Sequence, residues 1–137
     1  MMSQTSIKAV LIVGACFTGL MSLPVAAETA HSDQYYACLD NIDDSAFRNS
    51  QLDNCVEGEL ERQDVVLNRE YQQLRGSFSD DQQSALLDAQ RAWLPFRENW
   101  CQLESVTDYA PGGELNYKLC MMSRTAEQID LIMSLQP

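Results

Sequence analysis

The sequence predicts an all-α fold: a three-helix antiparallel bundle with a short N-terminal helical segment, stapled by two disulfides. Three observations predict it. Apolar residues recur every three or four positions through three long stretches after residue 50. No alternating β-branched run occurs between residues 28 and 137. Four cysteines, Cys38, Cys55, Cys101 and Cys120, follow residue 27, an even number in a chain short enough to need staples.

The first 27 residues read as a signal peptide, leaving 28–137 as one helical domain. Lys8 is followed by 19 uncharged, mostly apolar residues, Ala9 to Ala27, ending in Val25-Ala26-Ala27. A basic start, an apolar run and a small-x-small end define an export signal cleaved after Ala27. Pro24 and the lack of a following basic cluster argue against a membrane anchor. Cys16 lies in a weak lipoprotein-like box, Val13-Gly14-Ala15-Cys16, but the apolar run continues past it, which argues against lipidation. Export places the domain in the periplasm or outside the cell, where disulfides persist.

Ser32 is the expected cap of a short helix carrying Tyr35, Tyr36 and Leu39, and Asp40 to Ser45 reads as a loop. The first long helix is expected from about Ser50 to Arg75. Leu52, Val56, Leu60, Leu67, Tyr71, Leu74 and Phe78 form its inner face, Glu57, Glu61, Arg62 and Glu70 its outer face, and Gly76 its C′ residue. Ser79-Asp80-Asp81-Gln82 is a capping box, with two acids at the positive end of the helix dipole. The second long helix is expected from about Asp80 to Val106, with Leu86, Trp93, Trp100 and Leu103 inward and a kink, not a stop, at Pro95. After the turn Asp108 to Gly113, the third runs from about Glu114 to Leu135, with Leu115, Leu119, Met122, Ala126, Ile129 and Met133 inward.

Tight turns near Phe78 and Pro111 make neighbouring helices antiparallel. Cys101 then faces both Cys55 and Cys120, and cannot bond both. Cys38–Cys55 with Cys101–Cys120 is the expected pairing because each closes a short loop. Cys38–Cys120 with Cys55–Cys101 is the alternative. Each bridge is worth about 3 kcal/mol in the chain-entropy picture. The same geometry gathers Asp64, Asn68 and Tyr71 from the first long helix and Gln90, Trp93 and Arg97 from the second. Asn68 is expected to meet Gln90. Asp64 is expected within a turn of Arg97, whose guanidinium stands beside the Trp93 indole and suits a carboxylate. Such a cluster either contacts a partner or fixes helix register as a satisfied interior network.

Nine Lys+Arg against 20 Asp+Glu give a net charge of −11. From Glu28 onward the balance is eight against 20, or −12. That charge excludes nucleic-acid binding and disfavours an anionic membrane surface. The cysteine gaps of 17, 46 and 19 residues do not suit zinc. Asp40, Asp43 and Asp44 lack the spacing of a calcium loop. No cofactor or metal is expected. Catalysis is not expected either. His31 is the one histidine and is expected in a loose terminus, the cysteines are expected to be oxidised, and a Glu59 or Glu61 carboxylate near Arg97 is weak ground for glycoside chemistry.

The set Asp64-x-x-Leu67-Asn68-x-x-Tyr71, Gln90-Arg91-Ala92-Trp93-x-x-Phe96-Arg97-x-x-x-Cys101, Gly112-Gly113, Cys120 and Thr125 resembles the LprI-like family. These are small exported bacterial domains named for a mycobacterial lipoprotein described as a lysozyme inhibitor. The likeness runs from about Cys38 to Leu135. Gln128, where members often carry Arg, and Pro95 depart from the pattern. The resemblance implies a protein-binding domain that inhibits a cationic lysozyme, an acidic partner gaining on-rate by steering. Tyr109, on the Asp108–Gly113 loop, is the side chain expected to enter the lysozyme cleft. The alternative is a periplasmic binding or adaptor module for another envelope protein or a small ligand, using the Asp64/Trp93/Arg97 cluster.

Overall fold

The structure is a computed structural model that describes residues 31–107 and 111–137. The expected signal peptide and Tyr109 lie outside the described residues. Four helices follow one another: α1 (Asp33–Leu39), α2 (Arg48–Ser77), α3 (Asp80–Thr107) and α4 (Gly113–Ser134). No strand occurs among the described residues.

Local chemistry sets the helix ends. The Ser32 hydroxyl accepts the Tyr35 amide and starts α1. α2 continues through Gly76 to Ser77, so Gly76 is not the C′ residue. The Ser77 hydroxyl donates to the Leu74 carbonyl, and the Phe78 amide closes the last turn on Arg75. One half of the capping box of α3 forms: Gln82 accepts the Ser79 amide at 2.9 Å. α3 runs unbroken through Pro95. Gly112, at φ 144°, holds a backbone conformation that only glycine takes easily, and a Cβ on Gly113 would press on the Ser105 carbonyl at 3.3 Å. That pair lets the chain turn tightly from α3 into α4.

α4 is the central element. It packs against both α2 and α3, whereas α2 and α3 touch only sparsely. Lys118 of α4 meets Asp53 of α2 at 2.9 Å, and Gln136 just beyond α4 meets Glu70 of α2 at 2.8 Å. These ties make α2 and α4 parallel, with α3 antiparallel to both. One core holds Tyr35, Cys55, Val56, Leu115 and Met122; a second, towards the α2–α3 turn, holds Leu67, Leu74, Leu86, Ile129 and Ile132. Burial of such side chains contributes roughly 1.5–3 kcal/mol each. Cys38–Cys55 joins α1 to α2, and Cys101–Cys120 joins α3 to α4, with Cα separations of 5.7 and 5.4 Å. This is the expected pairing.

Three inward assignments need correction. Trp100 and Leu103 are 43 % and 52 % exposed. The Cys101–Cys120 bond turns Cys101 towards α4, so positions 97, 101 and 105 face that helix. At about 100° per residue, Trp100 and Leu103 swing away. Met133 is exposed, and Ile132 takes the core position instead. Glu70 is buried rather than on the outer face, because α2 presents a second inner stripe of Cys55, Glu59, Gln63 and Glu70.

Candidate functional site

The splay of α2 from α3 leaves a groove of about 440 Å³ between them. Five of the cluster residues expected from the sequence line it: Asp64, Asn68 and Tyr71 from α2, and Gln90 and Arg97 from α3. Leu67, Leu87 and Leu94 add apolar wall, and Arg91 adds a second guanidinium. Trp93 is not in the lining but lies under Arg97, whose guanidinium carbon stands 4.6 Å from the ring centroid.

The bonds inside this cluster differ from the expected ones. Arg97 Nη1 donates to Thr125 Oγ1 on α4 at 2.7 Å, and the Thr125 hydroxyl in turn donates to the Met121 carbonyl at 2.7 Å. Arg97 makes no ion pair with Asp64 or with any other described carboxylate. Its Nε is buried without an acceptor. Asn68 does not meet Gln90. Asn68 Nδ2 donates to the Asp64 carbonyl within α2, and Gln90 Oε1 accepts from Gln128 Nε2 on α4 at 3.0 Å. The reason is again the central position of α4, which takes the polar side chains of α3 that the sequence directed at α2.

Among the described residues, no partner helix covers the opposite flank of α3. Ala85, Ala89, Ala92, Phe96, Trp100 and Leu103 step by three and four along one exposed stripe. Phe96 and Trp100 stack with ring centroids 6.0 Å apart. Helical phase puts Asp81 and Asp88 along one edge. Glu104 forms the other edge and accepts the Trp100 indole N–H. Arg124 of α4 reaches that edge too, but it is bound to Glu127 at 2.7 Å and lies 4.0 Å from Glu104. The stripe is therefore apolar with an acidic border.

Sequence reasoning missed a polar knot at the N-terminal end. Glu59, 2 % exposed, accepts the Ser32 amide at 2.8 Å, the Ser32 hydroxyl at 2.5 Å and Arg62 Nε at 3.1 Å. Gln63 Nε2 lies 3.3 Å from His31 Nδ1, and the His31 ring packs on Tyr35. His31 is thus tied down rather than loose, and Glu59 belongs to this knot rather than beside Arg97. The i, i+3 and i+4 spacing of Glu59, Arg62 and Gln63 was a visible signal. Its distant partners, Ser32 and His31, were not. The Glu59 charge and burial together hold the Tyr35 hydroxyl above its usual pKa, burial acting more strongly.

The acids near α1 are also engaged locally. Asp43 is held below the usual carboxylate range by Ser45 and Gln51, and Asp44 pairs with Arg48 at 3.0 Å. Among the described residues no three His, Cys, Asp or Glu side chains group as a metal site. None of the described helices is long and apolar enough to cross a membrane.

A family model described as lysozyme inhibitor LprI matches residues 38–131. The chain belongs to the LprI family. The match begins at Cys38 and takes in both disulfides, the groove and the α3 stripe, so the LprI domain and the helical bundle are the same unit. No curated protein and no solved structure matches the chain significantly. Of the two departures from the LprI pattern, Gln128 is used as a bridge to Gln90, and Pro95 is accommodated within α3.

Proposed function

We propose that this protein is an exported inhibitor of a cationic lysozyme, and that the uncovered apolar stripe of α3 is the surface that docks on it. Membership of the LprI family suggests the activity. The observation that carries the surface is the exposure of Phe96, Trp100 and Leu103 beside Glu104, on a stripe whose N-terminal end carries Asp81 and Asp88. A contiguous exposed apolar patch is uncommon on a monomer unless it meets a partner. Aromatic side chains supply most of the energy at interfaces, and a charged rim governs encounter. Net charge from Glu28 onward is −12, eight cations against 20 acids, which favours a cationic partner over a second copy of this chain.

Export is part of the same proposal. The signal-like residues 1–27 and the two disulfides both suit an oxidising compartment. Tyr109, between α3 and α4, is proposed as a second contact.

Titrating the exported protein against a strongly cationic lysozyme, at low and at high salt, tests the reading. Inhibition near equimolar ratio that weakens as salt rises is the expected result. No inhibition at either salt overturns it. A Phe96→Ser/Trp100→Ser variant that folds and still inhibits like the parent moves the contact away from α3.

A further inference from the structure

Eight lysine and arginine side chains stand among the described residues. Five are ion-paired: Arg48, Arg62, Arg69, Lys118 and Arg124 each lie within 4.0 Å of a carboxylate. Arg75 closes the last turn of α2, where a cation suits the helix dipole. The remaining two, Arg91 and Arg97, line one groove, and neither has a carboxylate within ion-pair distance among the described residues.

In a chain with 20 acids and nine cations, leaving two guanidinium groups unpaired in one place runs against the local electrostatics. Desolvating a guanidinium without a counter-charge is costly. The Trp93 face offsets part of that cost. Thr125 engages one of the five N–H donors, and the buried Nε has no acceptor. Arg97 is therefore held rigidly by Trp93 and Thr125 with donors to spare, which is how a carboxylate-binding arginine is prepared.

We propose that the groove between α2 and α3 binds a small carboxylate with an apolar tail. Its charged end meets Arg97 with help from Arg91, and its tail lies along Leu67, Leu87 and Leu94. The volume of about 440 Å³ falls in the range of small-molecule clefts. Arg91 and Arg97 are six residues apart, about 9 Å along the helix axis, which two long side chains can span around one anion. Asp64 lies on the α2 wall and makes no ion pair among the described residues. It disfavours a second negative charge, so a monocarboxylate is selected over a dicarboxylate or a phosphate ester.

The test is a ¹H–¹⁵N NMR titration of the exported protein with hexanoate, hexan-1-ol and acetate. Hexanoate is expected to shift the Arg97 Nε–Hε and Trp93 indole signals saturably. Hexanol, lacking the charge, and acetate, lacking the tail, are expected to bind at least roughly tenfold more weakly. Arg97→Lys keeps the charge but loses the fork, and should weaken hexanoate binding by about tenfold. Arg91→Gln, at an exposed position, should weaken it several-fold with the melting temperature unchanged, and it decides the matter should Arg97→Lys fail to fold. Hexanol binding as well as hexanoate, an unaltered affinity in Arg91→Gln, or no saturation by about 20 mM hexanoate would each overturn the proposal.

Discussion

On one flank of α3, Phe96, Trp100 and Leu103 meet solvent beside Glu104, with Asp81 and Asp88 further towards the start of the helix. On the other, Arg91 and Arg97 line a groove whose walls are leucine, tyrosine, amide and the single carboxylate of Asp64. The two flanks belong to one helix and differ through one constraint, the rotation of that helix about its axis. Cys101–Cys120 and the Arg97–Thr125 bond both point the 97-101-105 row at α4. With that row fixed, the helical period sends Phe96, Trp100 and Leu103 to one side and Arg91 to the other, while Arg97 reaches the groove from the row itself. An amphipathic helix usually hides its apolar face; here a disulfide row has taken the place of that face against the neighbour.

The largest expected effect comes from removing what fixes the rotation. Replacing Cys101 and Cys120 together by serine should cost about 3 kcal/mol, in keeping with a 19-residue separation between the bonded cysteines. Chemical denaturation measures it. The near-ultraviolet circular dichroism of Trp93 and Trp100 should weaken at the same time, since both flanks lose their definition. An unchanged tryptophan signal would mean that packing alone sets the rotation.

Arg97→Ala should follow at about 1–3 kcal/mol, because Thr125 is fully buried and loses its donor. Thermal unfolding reads it out. A melting temperature equal to the parent's would show that the Trp93 stack and the Thr125 bond contribute nothing to register, leaving Arg97 to ligand binding alone.

The stripe should behave in the reverse way. Phe96→Ser with Trp100→Ser should alter stability by about 1 kcal/mol or less, as both side chains are about half exposed and on a face that no described helix covers. The proposed lysozyme inhibition, followed by bacterial-cell lysis, should fall at least roughly tenfold, and the proposed hexanoate binding should stay as it is in the parent. Loss of both together would join the two flanks into one site.

The smallest effect lies on the α2–α4 side, away from both flanks. Gln136 first, and Arg69 second, hold the Glu70 carboxyl below its ordinary value, although burial opposes them. A depressed carboxyl stabilises the fold above its unfolded value, about 4.3, and that contribution is lost as pH falls through the folded value. Lys118 is raised, chiefly by Asp53, so its contribution is complete below about 10.4 and is lost as pH rises through the folded value. Glu70→Gln should flatten the acid limb of the stability profile while leaving inhibition at neutral pH alone. An unaltered acid limb would place the acid sensitivity elsewhere.

Much of this molecule is written locally. Ser32 capping α1, Gln82 reaching back to Ser79, and the glycine pair before α4 all act within a few residues, so sequence specifies them directly. The periodic rows of α2 and α4 did so as well, apart from Glu70 and Met133. Cys101 against Cys120 follows from hairpin geometry and a short loop. Five of the six clustered polar and aromatic residues do line one groove, Trp93 being the exception, but their bonds differ from those the spacing suggests. Asn68 turned back on its own helix, and Gln90 turned to Gln128.

Sequence by itself settled four helices, their order and the residues able to link them, because capping, period and loop length are properties of short segments. Tertiary structure alone decided that α4, not α3, sits at the centre, and hence which faces of α3 are left in water. The reason is that a helix carries the same side chains whichever way it is turned. Only its bonds to a distant partner choose the turn.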